Sequence, residues 1–154
     1  LQETSRKKDP AGCHGRGVMP PRPDPCPVFL PEALCPVPAG FPSPADDYMD
    51  RSLDLNEYLI KNRAASFFIR VSGESMCGAG ILPGDILLVD RSVEPAHNRI
   101  VVAVLDREML VKRLRFSRGR VYLASENPEF QPVEITEAMD ACIWGVATAV
   151  IRKL

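Results

Sequence analysis

Two side chains in this 154-residue sequence are of the types a hydrolytic reaction needs. Ser75 lies in "VSGESMCGAG", Val71 to Gly80, where a strand-like run breaks up among glycines, and Lys112 lies in "EMLVKRLRF", Glu108 to Phe116. A serine hydroxyl is a poor nucleophile until a base removes its proton, and a neutral amine can act as that base. At the usual lysine pKa near 10.4, only about one amine in a thousand is neutral around pH 7.4. Burial that lowers the value by roughly three units makes the free amine common. Alternate residues of a strand share a face, so Leu110, Lys112, Leu114 and Phe116 fall together, opposite Met109, Val111, Arg113 and Arg115. The lysine thus stands among apolar neighbours. From periodicity alone the commoner explanation is a lysine at a strand end whose head snorkels into water. A serine between glycines is likewise more often a turn residue. If Ser75 is catalytic, its own amide and that of Met76 can supply an oxyanion hole. Gly73 and Gly78 would then let a substrate backbone come near. Histidine competes poorly as the base: His97 lies in the turn "EPAHNR" and His14 in a proline-rich stretch, so a Ser–Lys pair ranks above a Ser–His–Asp triad.

Short apolar runs must position these two groups. "SFFIRV" (66–71), "DILLVD" (85–90), "RIVVAVL" (99–105), "EMLVKRLRF" (108–116), "RVYLAS" (120–125) and "CIWGVATAVIRKL" (142–154) read as strands. Between them stand "LPGD", "SVEPAHN", "DRE", "SRG" and "ENPEFQP", breaks rich in Gly, Pro, Asn or Asp. "LPGD" is expected to form a turn beside Ser75 and is given no chemistry. "DRSLDLNEYLIKN" reads as a short helix, with Asp54 as N-cap and Glu57 three residues later. Strands at regular spacing without intervening helices predict a mainly β domain, small and antiparallel.

Eleven of the fifteen prolines fall between Pro10 and Pro44. Proline lacks the amide donor and restricts its predecessor, so this stretch cannot be helix or sheet interior and is expected to be an extended arm. Its apolar residues Val28, Phe29, Leu30, Leu34 and Val37 are more than a plain linker carries, which points to docking on the β domain. A net charge of −1 gives no electrostatic case for binding nucleic acid or an anionic membrane. No run reaches the 18 or more apolar residues of a membrane span, and no apolar segment follows the basic N-terminal residues, so a cytoplasmic protein is expected. Five cysteines without a C-x-x-C pair, and two histidines, argue against a zinc site and for reduced thiols; no metal or cofactor is expected.

"SGESM", "LPGDILLVD", "VKRL" and "ENPEFQP", in that order, resemble the LexA/UmuD family of self-cleaving Ser–Lys proteins. The likeness runs from about Gly40 to Leu154, and "GFPSPADDYMDRSLDLNEYLI" resembles the UmuD branch in particular. The resemblance implies a strongly bent β domain over 40–154 and an arm, 1–39, removed by cleavage between Ala39 and Gly40. It makes Ser75 the nucleophile and Lys112 the general base. Gly40 offers no side chain to obstruct attack, Ala39 suits a small pocket, and Pro38 and Pro42 keep the peptide extended. The resemblance further implies a homodimer, stimulation of cleavage by RecA–single-stranded DNA filaments, and a role as accessory subunit of a Y-family error-prone DNA polymerase in the SOS response to DNA damage. No sequence-specific DNA binding or membrane attachment goes with it. Three other readings compete. A LexA-like or phage-type repressor needs a helical DNA-binding domain before the cleavage point, which nine prolines between Pro10 and Pro38 do not allow in that stretch. A signal-peptidase-like enzyme needs a membrane anchor. A passive adaptor would keep the β domain without an active dyad.

Overall fold

The structure is a computed structural model that describes residues 18–19, 27–28, 30–33 and 49–154. The β-branched and leucine runs become strands: β4 (Ser66–Arg70), β5 (Ile86–Asp90), β6 (Ile100–Leu105), β7 (Glu108–Ser117), β8 (Arg120–Ala124) and β10 (Ala141–Ile151). These follow the expected runs closely, with β10 ending three residues before the C-terminus. A short β9 (Val133–Ile135) joins them, and all seven form one curled antiparallel sheet in the order β4-β5-β10-β6-β7-β8-β9. Turn chemistry sets the hairpins. Asp106 and Arg107 both have positive φ between β6 and β7, as do Arg118 and Gly119 between β7 and β8. Two left-handed residues in succession match the right-handed twist of the strands they connect.

The curl has a local cause in β10. Its register shifts between Ile143 and Gly145 against β6, and between Ala147 and Ala149 against β5. Such irregularities bend a strand and increase its twist. Both faces of the bent sheet are then covered by apolar side chains. Ile69, Val71, Met76, Ile81, Leu87, Val89 and Val102 form one cluster, while Val101, Ala103, Leu114, Leu123 and Val146 form the other. Val101 and Val102, adjacent on β6, point to opposite clusters, as the strand period requires.

Before the sheet, β3 (Met49–Leu53) pairs with β2 (Leu30–Ala33), and β1 (Val18–Met19) adds to β4 at the sheet edge. Among the described residues, proline-rich sequence thus contributes strands only at edges, where the missing amide is tolerated. The helix is shorter than expected because β3 takes the first part of its run. It spans α1 (Leu55–Leu59), and the Asp54 carboxylate accepts from the Asn56 amide at 2.8 Å. Val28 and Leu30 are 57% and 58% exposed, so these two apolar residues of the arm are not packed away. Phe29, Leu34 and Val37 lie outside the described residues. Among the described residues no helix is long and apolar enough to cross a membrane.

Candidate active site

Ser75 lies in the connection between β4 and β5, residues 71–85, which is closed at its base like a noose. The Val71 amide donates to the Asp85 carbonyl at 2.8 Å, and the Gly84 amide donates to the Val71 carbonyl at 2.9 Å. "LPGD" makes the turn that allows this: Asp85 donates its amide to the Leu82 carbonyl at 3.1 Å, with Pro83 and a left-handed Gly84 in the middle. Met76 and Ile81 point inward and are almost wholly buried, each anchoring the loop by about 1.5–3 kcal/mol of apolar burial. A single 3₁₀ turn at Cys77–Ala79 ends on left-handed Gly80. The serine between glycines is thus on a fixed loop, half-buried, rather than on a loose turn.

Asp85, given no chemistry from the sequence, proves to be the loop's electrostatic anchor. Its side chain is 2% exposed and accepts two bonds from Arg152, from Nε at 2.6 Å and from Nη2 at 2.5 Å. Its other contact is the Leu82 amide at 2.7 Å. The arginine hydrogen bond, and then the amide, hold the carboxyl pKa at about 2. Arg152 also donates to the Gly80 carbonyl at 2.7 Å, so one guanidinium grips both ends of the second half of the loop.

Lys112 reaches the site from β7, where it is half-buried. Leu114, on its side, is in the core as expected, but Phe116 is 46% exposed, because β7 runs past the core at that end. Burial lowers the Lys112 pKa below the ordinary lysine value. The amine stands 5.5 Å from the centre of the Phe130 ring. It donates a hydrogen bond to Ser125 Oγ at 2.9 Å. Among the described residues no hydrogen bond joins it to Ser75, yet the two line one cleft of about 420 Å³ with Ile69, Val71, Met109 and Val111. Ser125 was invisible in the sequence because its role depends on register. Arg113 pairs with Ala124, and continuing that ladder by one step sets Lys112 opposite Ser125.

The segment after β8 ties the two halves together. Glu126 donates its amide to the Ser75 carbonyl at 2.8 Å and accepts from the Gly78 amide at 2.7 Å. Asn127 Nδ2 donates to the Glu74 carbonyl at 3.2 Å. The approach is so close that a Cβ on Gly78 would collide with the Glu126 carbonyl oxygen. The Glu126 carboxylate accepts from Arg113 at 2.5 Å and Arg115 at 3.3 Å, and these bonds lower its pKa. Met76 sends its side chain into the core, and neither its amide nor that of Ser75 donates to a backbone carbonyl among the described residues. Ala39 and Gly40 lie outside the described residues.

Residues 33–148 match the Peptidase S24-like family. Protein ImpA of Escherichia coli is 48% identical over 116 residues, covering 75% of this chain and 78% of that protein. Protein MucA of Salmonella typhimurium is 42% identical over 120 residues, covering 77% of this chain and 82% of its own length. The LexA repressor of Bordetella parapertussis is 38% identical over 116 residues, which are 75% of this chain but only 53% of the repressor. The greater identity and fuller coverage lie with ImpA and MucA, and the chain belongs to the S24 family of self-cleaving serine peptidases, as a UmuD-like protein of the SOS mutagenesis class.

Proposed function

We propose that Ser75 and Lys112 are the nucleophile and general base of cleavage between Ala39 and Gly40, separating an arm (1–39) from a β domain (40–154). The observation that carries this reading is the shared cleft: a serine on an anchored loop and a lysine whose pKa burial lowers line the same cavity. In the reaction, neutral Lys112 takes the Ser75 proton as Oγ bonds to the Ala39 carbonyl carbon. The amides of Ser75 and Met76 receive the developing oxyanion. The resulting ammonium returns its proton to the Gly40 nitrogen as the peptide bond breaks, leaving an ester on Ser75 that water hydrolyses. Removal of the arm frees the β domain to act, as a cytoplasmic homodimer, with the catalytic subunit of a Y-family polymerase in translesion synthesis. RecA–single-stranded DNA filaments accelerate the cut. The similarity to ImpA and MucA supports this assignment.

The purified protein incubated with and without RecA filaments at neutral pH tests the reading. Intact-mass analysis is expected to show a fragment starting at Gly40, formed faster with filaments and absent from the Ser75→Ala variant. Equal rates with and without filaments would remove the RecA role, and a break elsewhere would remove the assigned cleavage site.

A further inference from the structure

We propose that Ser125 is a positioning residue for the Lys112 amine, and that Ser125, Glu126 and Asn127 together hold base and nucleophile in register. The inference rests on the Ser75–Lys112 reading above. A neutral primary amine has two N–H bonds and one lone pair, and as a base it must present the lone pair to the serine hydroxyl. A lysine head on four methylenes has no intrinsic reason to do so. Donating one N–H to Ser125 Oγ at 2.9 Å removes much of that freedom. The next two residues carry the constraint to the other partner. The Glu126 backbone makes bonds of 2.8 and 2.7 Å to Ser75 and Gly78, and the Asn127 side chain holds the Glu74 carbonyl. The separation of base from nucleophile is thereby fixed through a few backbone bonds rather than around the sheet. Arg113, next to Lys112 on β7, completes the tie through the Glu126 carboxylate.

The charged groups near this amine limit what else could set its proton affinity. Arg70 from β4 and Arg107 from the β6–β7 turn line the same cleft. Glu126 is engaged with Arg113 and Arg115. The Glu74 side chain is on the exposed surface of the nucleophile loop. A hydroxyl oxygen accepting from Nζ favours the ammonium over the neutral amine. Removing it therefore lowers the amine pKa while loosening its aim, and these two consequences have opposite effects on rate at neutral pH.

Two measurements separate this from a role in stability alone. Self-cleavage of Ser125→Ala, followed across pH, is expected to reach a plateau about ten- to a hundredfold below wild type. Its rising limb is expected to lie at lower pH, and Ser125→Thr, which keeps the hydroxyl, to recover most of the rate. In a Ser75→Ala background, where no cleavage occurs, the Lys112 pKa read by NMR of labelled lysine is expected to fall when Ser125→Ala is added. An unmoved pKa and pH limb, or a threonine variant no better than alanine, would overturn the positioning role. Wild-type rates in Ser125→Ala, with Ser75→Ala and Lys112→Ala both inactive, would sink this role and leave the dyad standing. Wild-type cleavage by Lys112→Ala would sink the dyad and the positioning role with it.

Discussion

Lys112 is held in the fold against the preference of its own charge. Its ammonium has lost part of its water, and among the described residues no carboxylate pairs with it; its partners are the Ser125 hydroxyl and the face of Phe130. The folded pKa lies below the usual 10.5, so folding binds this proton less tightly than the unfolded chain does. The penalty is present in full at pH values below the folded pKa and is relieved as pH rises from that value towards 10.5. Lys112→Met, similar in length and uncharged, is therefore expected to raise stability at pH 7, measured by denaturant unfolding. The gain should shrink when unfolding is repeated near pH 10. A variant less stable than wild type at pH 7 would show that the amine is better satisfied than its burial implies. An amine held in a cleft at a cost to stability is the energetic pattern expected of the proposed general base.

At the level of elements, the loop 71–85 and the segment 125–127 meet where there is no room for error. Gly78 is needed there for space rather than for its dihedrals, since a Cβ would collide with the Glu126 carbonyl. Gly78→Ala is expected to lower stability by about 1–3 kcal/mol and to abolish self-cleavage, because the collision pushes the Ser75 turn away from β8. Thermal unfolding and a cleavage assay check both halves; near-normal cleavage would mean that the contact between the loop and Glu126 does not position the serine. The strands from β4 to β8 and β10 were legible because each apolar run is bounded by turn residues whose geometry the structure reproduces, and the Asp54 cap was legible for the same local reason. β9 was not, being three residues long after a proline-containing break, and β3 was hidden inside a run with helical composition. Ser75 and Lys112 were visible as residue types in context. Ser125 and Arg152 were not, because their roles depend on partners 13 and 67 residues away that only the register and the closed sheet bring near.

Across the whole molecule, the residue just past β10 and the segment after β8 converge on the Ser75 loop. Arg152, just past β10, clamps Asp85 and Gly80, while the Glu126 segment holds Ser75 and Gly78 from the other side. The Asp85 pKa of about 2 lies below its unfolded value of 3.8, so this pair contributes stability that is complete above about pH 4 and is lost as pH falls towards 2. Arg152→Ala is expected to destabilise the protein at pH 7, to flatten its loss of stability over that acid window, and to slow self-cleavage by loosening the loop. Acid titration followed by circular dichroism measures the first two effects. The β2–β3 ribbon adds a further link, since its strands lie on either side of Ala39-Gly40 in the sequence and the proposed cut would sever their connection. The proposed mechanism turns on one proton transfer, from Ser75 to a neutral Lys112 amine. Its most direct test is the rate of self-cleavage between pH 6 and pH 10, followed by intact mass in wild type, Ser75→Ala and Lys112→Ala. Wild type should release a fragment beginning at Gly40 at a rate that climbs with pH and levels off below pH 10.5, with both variants intact throughout. A rate independent of pH, or a Lys112→Ala protein that cleaves like wild type, would contradict it.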